Sequence, residues 1–409
     1  MEHAAEPAPK NGPAPTEITF AYWALAPREI ETIHGLVGEF EAAEPTIRIT
    51  LIEPTDRYYD KLTTLFAAGT PPDAFAANYG RLGDFARPEL VADVRPLCAA
   101  VPQVHRDQFV TAAYEGLAQI GGALGRPDRL YGLPRDWGPT NLLAYNRDAL
   151  DAGGVPYPEA GWTWDEFAGA CRRLTVHTPE GATKQYGAAL CLYPYAALAW
   201  LLQNGGGVLG ADGRTSALSS TANVEALRFL KGLVDEGVVA PPNPAQDDSL
   251  ELLRTGRTAM AFVTPYSLGG LREEATLHWG LAPPLVGKRQ ATGSIPTGVA
   301  LSSRSTHPEA AFRFMAFWAT VGAQRLGAAG LCVPAWKPAL AGPDLAAEGG
   351  FGPDIAAVLR QAAVYAEPYP ISRGLPYEQA TRRLRNALDD VFIRDVAPEV
   401  ALREAEAGS

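Results

Sequence analysis

Apolar and polar residues alternate along this chain in two different rhythms, and the switches between them mark its elements. Ile18, Phe20 and Tyr22 alternate with Thr19 and Ala21, the period of a strand. Pro27 then opens a helix with Ile30, Ile33, Val37 and Phe40 on one face. Ile47, Ile49 and Leu51 return to the strand period. Tyr58, Leu62, Leu65 and Phe66 repeat at helical spacing until Gly69-Thr-Pro-Pro72, and Asp73–Ala77 reads as a buried strand. The series β-α-β-α-β calls for a parallel sheet with right-handed crossovers.

The alternation continues. Leu142–Tyr145, Tyr186–Cys191 and the stretch Gly256–Val263 read as strands or as a turn plus strand. Thr163-Trp-Asp-Glu166 forms a capping-box pattern ahead of a helix through Leu174, and Thr306-His-Pro-Glu309 repeats that pattern ahead of Phe312, Met315 and Trp318. Further helices are expected over Tyr195–Gln203, Val224–Val234, Ile355–Tyr365 and Glu378–Val391. No repeat of 20–50 residues is present. The fold class is α/β, and 409 residues suit two lobes.

Composition narrows the function. Lys plus Arg number 35 and Asp plus Glu 46, a net charge of −11, which argues against a general binder of nucleic acid or anionic membrane. The longest clean apolar stretch, Ala196–Leu202, is far short of the about 20 residues that span a bilayer. Residues 1–16 are rich in Pro and Ala, without an apolar signal core, and read as a disordered tether. Cys98, Cys171, Cys191 and Cys332 show no CxxC spacing and read as small apolar fillers.

Enzyme motifs are few. Gly205-x-Gly207-x-x-Gly210 follows a helix and runs into polar residues, so it reads as a turn and not as a dinucleotide fingerprint. The six histidines never pair at metal-ligand spacing, and no cofactor is expected. Asp389-Asp390 and Glu273-Glu274 are adjacent on expected helices, about 100° apart, so neither pair converges on one bond. Aromatics instead sit where strands end: Tyr22-Trp23, Asn78-Tyr79, Asp136-Trp137, Tyr193-Pro-Tyr195, Pro265-Tyr266 and Trp336 after Pro334. Ligands of open α/β sheets lie at such ends, and aromatic faces beside Asp, Asn and Arg suit sugars.

Four stretches carry a resemblance. The first comprises Glu17–Trp23, Val37–Ile49, Tyr59–Leu62 and Ala68–Asp73; the second Tyr131–Pro134, Leu143–Leu150 and Gly161–Phe167; the third Gly256–Met260; the fourth Thr306–Trp318. In order and spacing they resemble the extracellular solute-binding proteins of ABC importers, in the class that includes maltose-binding protein. The resemblance runs from about Glu17 to about Ala401. It implies a periplasmic-binding-protein-like fold: two lobes, each a mainly parallel sheet flanked by helices, joined by a multi-crossing hinge. The implied limits are 17–137 plus 284–334 for the N-terminal lobe and 138–283 plus 335–409 for the C-terminal lobe. Hinge crossings are expected near Trp137–Thr140, Pro283–Ala291 and Cys332–Ala341.

The resemblance also implies a ligand site. Tyr195 falls at a stacking position of the second lobe. Tyr266 stands where the family usually has tryptophan. Asn78 and Tyr79 follow the third strand, Asp136 and Trp137 lie at the first crossing, and Gly293 and Ser294 lie on the return strand. Arg373 with Tyr377 falls in the C-terminal segment where relatives contact ligand. Tyr22, Trp23 and Trp336 complete the set. The implied function is non-enzymatic capture of a mono- to trisaccharide for delivery to a membrane permease, by a monomer in the periplasm or outside the cell, with a membrane-tethered full-length form as an alternative. A glycerol phosphate or glycerophosphodiester is the alternative ligand. A sensory module and a carbohydrate-active enzyme using Asp136 are the other classes.

Overall fold

The computed structural model describes residues 14–24, 27–53, 56–210, 212–213, 215–243, 248–264, 267–272, 274, 276–370 and 377–408. In chain order it begins with β1 Thr16–Ala21, α1 Pro27–Ala43, β2 Ile47–Ile52, α2 Tyr58–Ala67, β3 Ala74–Asn78 and α3 Tyr79–Ala86. Next come α4 Thr111–Ala123 and β4 Leu133–Asp136. The middle holds β5 Leu142–Asn146, α5 Trp164–Leu174, β6 Val176–His177, β7 Thr183–Ala189, α6 Pro194–Gln203, α7 Thr221–Asp235, β8 Thr258–Val263 and β9 Trp279–Ala282. The last part includes β10 Thr292–Ser294, β11 Thr297–Leu301, α8 Pro308–Phe317, α9 Pro353–Ala362, β12 Ala366–Pro368, α10 Tyr377–Phe392 and α11 Pro398–Ala407, with shorter helical turns between them.

These strands form two five-stranded sheets, in the orders β2-β1-β3-β11-β4 and β6-β7-β8-β5-β9, with the pair β10-β12 between them. The two-lobed α/β architecture is the expected one, and the sheets are mixed. In the first, β2, β1 and β3 run parallel, whereas β11 is antiparallel to β3 and β4. In the second, only β7 and β8 are parallel among the described pairs; β5 is antiparallel to β8 and β9. The reason is topological: β11 and β5 enter their sheets from the junction between the lobes and not through a helical crossover.

Each sheet is closed by its own aromatic cluster. In the first lobe Phe20 meets Phe314 and Trp318 at ring distances of 5.0 and 4.9 Å, and Phe40 meets Phe314 at 5.1 Å. Rings held edge to face in this way add to simple area burial. On α1, Ile33, Leu36 and Phe40 are buried, a face rotated slightly from the expected Ile30 and Val37. In the second lobe Trp200 packs on Trp164, Phe167 and Phe262. Leu384, Leu388 and Leu402 of α10 and α11 join that second cluster.

The capping box at Thr163–Glu166 forms: the Glu166 backbone N–H donates to Thr163 Oγ1, and Glu166 Oε2 accepts from the Thr163 backbone. The one expected at Thr306–Glu309 does not. Pro308 takes the first helical position, so the cap is His307, which makes no side-chain capping bond. The glycine stretch 205–210 is a turn held by Asn223, whose amide donates to Gly207, Ala217 and Leu218 carbonyl oxygens. All four cysteines are buried.

Candidate functional site

On the first lobe, the carboxyl ends of β1 and β3 carry a compact aromatic group. Tyr58 donates its hydroxyl to the carbonyl oxygens of Ala21 and Ala76, at 3.2 and 2.7 Å, and so fixes both strand ends. Trp23 stands edge-on to Tyr58 at 5.3 Å and tilted to Tyr59 at 6.0 Å. Tyr59 accepts the Asn78 backbone N–H on its hydroxyl, and the Arg81 guanidinium lies 5.1 Å above its ring. Asn78 itself caps α3, accepting the Arg81 N–H on Oδ1 at 2.9 Å. Trp23, Tyr59, Asn78 and Arg81 are all partly exposed, so this group borders solvent with two aromatic faces, an amide and a cation.

Tyr22 is not part of that border. It is fully buried and donates to Glu53 Oε2 at 3.1 Å. Burial, and then the Glu53 carboxylate, push its phenol well above the usual range.

At the junction the chain leaves β4 through Asp136 and Trp137. Arg135 donates through Nε (2.8 Å) and Nη2 to Asp136 Oδ2, and the Thr297 backbone N–H donates to Oδ1. Burial opposes the charge on Arg135, and the Asp136 carboxylate more than offsets that. The guanidinium also lies 5.7 Å from the Trp318 ring centroid. Asp136 is fully buried with both oxygens engaged, which removes it as a catalytic acid or base. Trp137 is 1% exposed and packed in the first core.

The second lobe contributes α6. Pro194 at its start sets the first turn, and Tyr193 and Tyr195 hold their rings 5.4 Å apart. Tyr195 is half-buried and touches both hydrophobic clusters. Gly293 lies directly behind it. A Cβ there would come within 2.7 Å of Thr140 Oγ1, so the close approach of β10 to Thr140 requires glycine, while the Tyr195 carbonyl oxygen would lie at an ordinary contact distance of 3.4 Å. Tyr79 closes the circuit: its backbone N–H donates to Pro296, its ring is 6.2 Å from that of Tyr369, and Tyr369 N–H donates to the Ser294 carbonyl oxygen.

The structure therefore brings together Asn78, Tyr79, Asp136, Trp137, Tyr195, Gly293 and Ser294 around one junction, with Trp23 on its first-lobe border. Trp336 goes elsewhere. Pro334 pairs antiparallel with Asp136, so the chain runs back along β4 away from the junction, and the Trp336 indole donates to the Gln103 carbonyl oxygen. Tyr266 and Arg373 lie outside the described residues, as does the side chain of Tyr377, which begins α10.

Tyr59, Arg81 and the strand β12 were missed from sequence. Arg81 sits three residues after the Asn78 cap, a helical spacing that points both to one end of α3. β12 is three residues long and contains Pro368, too little for periodicity to register. Its pairing with β10 adds another passage of chain to the lobe junction. The expected passage at Pro283–Ala291 is anchored on the second lobe, since Arg289 donates its backbone N–H to Gln203 and its Nε to Leu202. The link to the first sheet is made by the residues that follow, through Pro296.

Among the described residues, no group of three His, Cys, Asp or Glu side chains is placed to hold a metal, and no helix is long and apolar enough to cross a membrane. A surface cavity of about 430 Å³ lined by Thr16, Ile47, His307 and Arg313 lies at the amino ends of β1 and β2, the opposite edge of the sheet from the site.

The sequence profile of the bacterial extracellular solute-binding protein family matches residues 26–325. The chain belongs to that family. A curated binding protein from Brucella abortus is 26% identical over 291 residues, 68% of this chain and 66% of the relative, so the match spans about two thirds of that relative's length. Among solved structures, the sugar-binding protein MalE from Xanthomonas citri superposes with a TM-score of 0.80 at 20% identity, covering 96% of each chain. An ABC substrate-binding protein from Listeria monocytogenes, solved in complex with cycloalternan, gives 0.78 at 24% identity, covering 96% of this chain and 98% of that one. Family and fold are those of binding proteins.

Proposed function

We propose that this protein is the substrate-binding component of an ABC importer, which captures a mono- to trisaccharide between its lobes and hands it to a membrane permease. The observation that carries the reading is the placement of half-buried aromatics on both sides of one junction, Trp23 and Tyr59 on the first lobe and Tyr195 on the second. The C–H faces of a sugar ring pack on such rings, and Asn78 and Arg81 supply hydrogen bonds to its hydroxyls. The binding of cycloalternan by the Listeria protein of the same fold supports this ligand class. The two lobes close on the ligand because each holds part of its contacts. The protein acts as a monomer outside the cytoplasmic membrane.

A thermal-shift panel of glucose, galactose, xylose, maltose, trehalose, sucrose, maltodextrins, glycerol 3-phosphate and glycerophosphocholine tests the reading. A ligand at 100 times its Kd stabilises the folded state by about 2.7 kcal/mol, a shift of a few degrees. A shift with one sugar, recovered unchanged, is the expected result. A response to the phosphates alone would replace the sugar by a phosphate ligand, and no response to any of them would end the sugar reading.

A further inference from the structure

The first-lobe border uses its hydrogen-bond acceptors on itself. Asn78 Oδ1 accepts the Arg81 backbone N–H at 2.9 Å. A backbone N–H can only donate, so the oxygen of this amide is committed to the cap and its other end is the NH2 donor. Tyr59 accepts the Asn78 backbone N–H on its hydroxyl oxygen at 3.1 Å. Arg81, with its guanidinium over the Tyr59 ring, carries donors and no acceptor.

The adjoining carboxylates are matched in the same way. Asp136 accepts from Arg135 on one oxygen and from the Thr297 N–H on the other. Glu53, just past β2, accepts from Tyr22 at 3.1 Å and lies 3.2 Å from His34 Nε2, and Lys61 donates to its backbone carbonyl oxygen. Asp84, one turn on from Arg81, faces that guanidinium at 4.0 Å, the loosest of these contacts. Each of these carboxylates thus faces a donor or cation of the protein itself.

A neutral sugar brings an O–H donor with every hydroxyl, and each donor needs an acceptor once water is excluded. A carboxylate or phosphate ester brings acceptors alone. A guanidinium beside an amide NH2 meets such a group with charge-assisted bonds, which are stronger than neutral ones. The net charge of −11 repels anions from the molecule as a whole, so an anion that binds does so against that field and at a specific place.

We propose that the ligand is an anionic saccharide, whose carboxylate or phosphate ester meets Arg81 and the Asn78 amide while its ring packs on Trp23 and Tyr59. This rests on the sugar-binding reading above and names the class of sugar.

Calorimetric titration of matched pairs tests it: glucose against glucuronate and glucose 6-phosphate, galactose against galacturonate, and galactobiose against digalacturonate. One acidic sugar is expected to bind at least about tenfold tighter than its neutral parent, and the winning member tells carboxylate from phosphate. Arg81→Gln is expected to lower that preference by about tenfold. Asn78→Asp keeps a capping oxygen and replaces the NH2 by an acceptor, so it is expected to weaken the acidic sugar and strengthen the neutral one. Melting temperatures confirm that both variants fold. A neutral sugar that binds as tightly as its acidic partner, or more tightly, would overturn the proposal and leave sugar capture standing. So would a preference that survives unchanged in both variants. If neither member of any pair binds, the sugar reading falls together with this one.

Discussion

Gln203 donates its side-chain amide to the Ala291 carbonyl oxygen at 2.9 Å and accepts the Trp164 indole N–H at 2.7 Å. One fully buried residue thus ties the end of α6, whose first turn carries Tyr195, to the strand that returns to the first lobe. Gln203→Leu would leave the Trp164 indole and the Ala291 carbonyl unpaired in the interior. It is expected to destabilise the fold by about 1–3 kcal/mol, read as a lower denaturant midpoint. Ligand affinity is expected to fall as well, because Tyr195 loses its register against β10.

Tyr195 and Trp137 are aromatic neighbours of the same junction with opposite expected behaviour. Tyr195 is half-buried, so Tyr195→Ala removes stacking surface. It should weaken ligand binding by about 1–3 kcal/mol with little change in melting temperature. Trp137 is a core residue, so Trp137→Ala should cost about 3–5 kcal/mol of stability. Calorimetric titration alongside thermal melts separates the two, and the reverse pattern would exchange their roles.

Arg135 and Asp136 form a buried pair in which each carries the other's charge. Arg135→Met alone leaves the carboxylate with only the Thr297 N–H and is expected to cost about 3–5 kcal/mol. Arg135→Met combined with Asp136→Leu should cost clearly less than the sum of the single changes, since no charge is then stranded. Additive losses in a double-mutant cycle would contradict the pairing.

Burial pushes the Asp389 carboxyl above its ordinary value, against the pull of Arg394 and Arg385, and its Oδ1 has no partner. A raised carboxyl value in the folded state means that the protonated form is the stable one, with its contribution present at low pH and lost as pH rises through the folded value. Asp389→Asn mimics that neutral form. It should raise the melting temperature at pH 7, with the difference closing below about pH 4. A difference that persists at acid pH would point to packing instead of charge.

Much of the first lobe was legible in the chain because its strands and helices are one-sided. The alternation at Ile18–Tyr22 and Ile47–Leu51 and the helical spacing at Tyr58–Phe66 recur as β1, β2 and α2. The fold class and the family followed from the order of such segments. The capping box at Thr163 was equally readable, since both partners lie within four residues, whereas the similar string at Thr306 failed because Pro308 fixes the helix start one residue later.

The site was legible only as a neighbourhood. Residue type and position placed Asn78, Asp136, Tyr195 and Gly293 near strand ends and crossings, which local pattern controls. The sequence could determine that aromatics cluster at those ends. It could not determine which of them face solvent, because exposure depends on what the other lobe and the hinge place over each ring. Tertiary structure alone decided that Tyr22 and Trp137 belong to the core, that Trp336 turns back along β4, and that Tyr59 and Arg81 border the junction. The same holds for the pairing of Gln203 with Ala291. Each arises from contacts between separate segments, from 19 residues apart for Tyr59 with Asn78 to 233 for Trp336 with Gln103, over which no periodicity carries information.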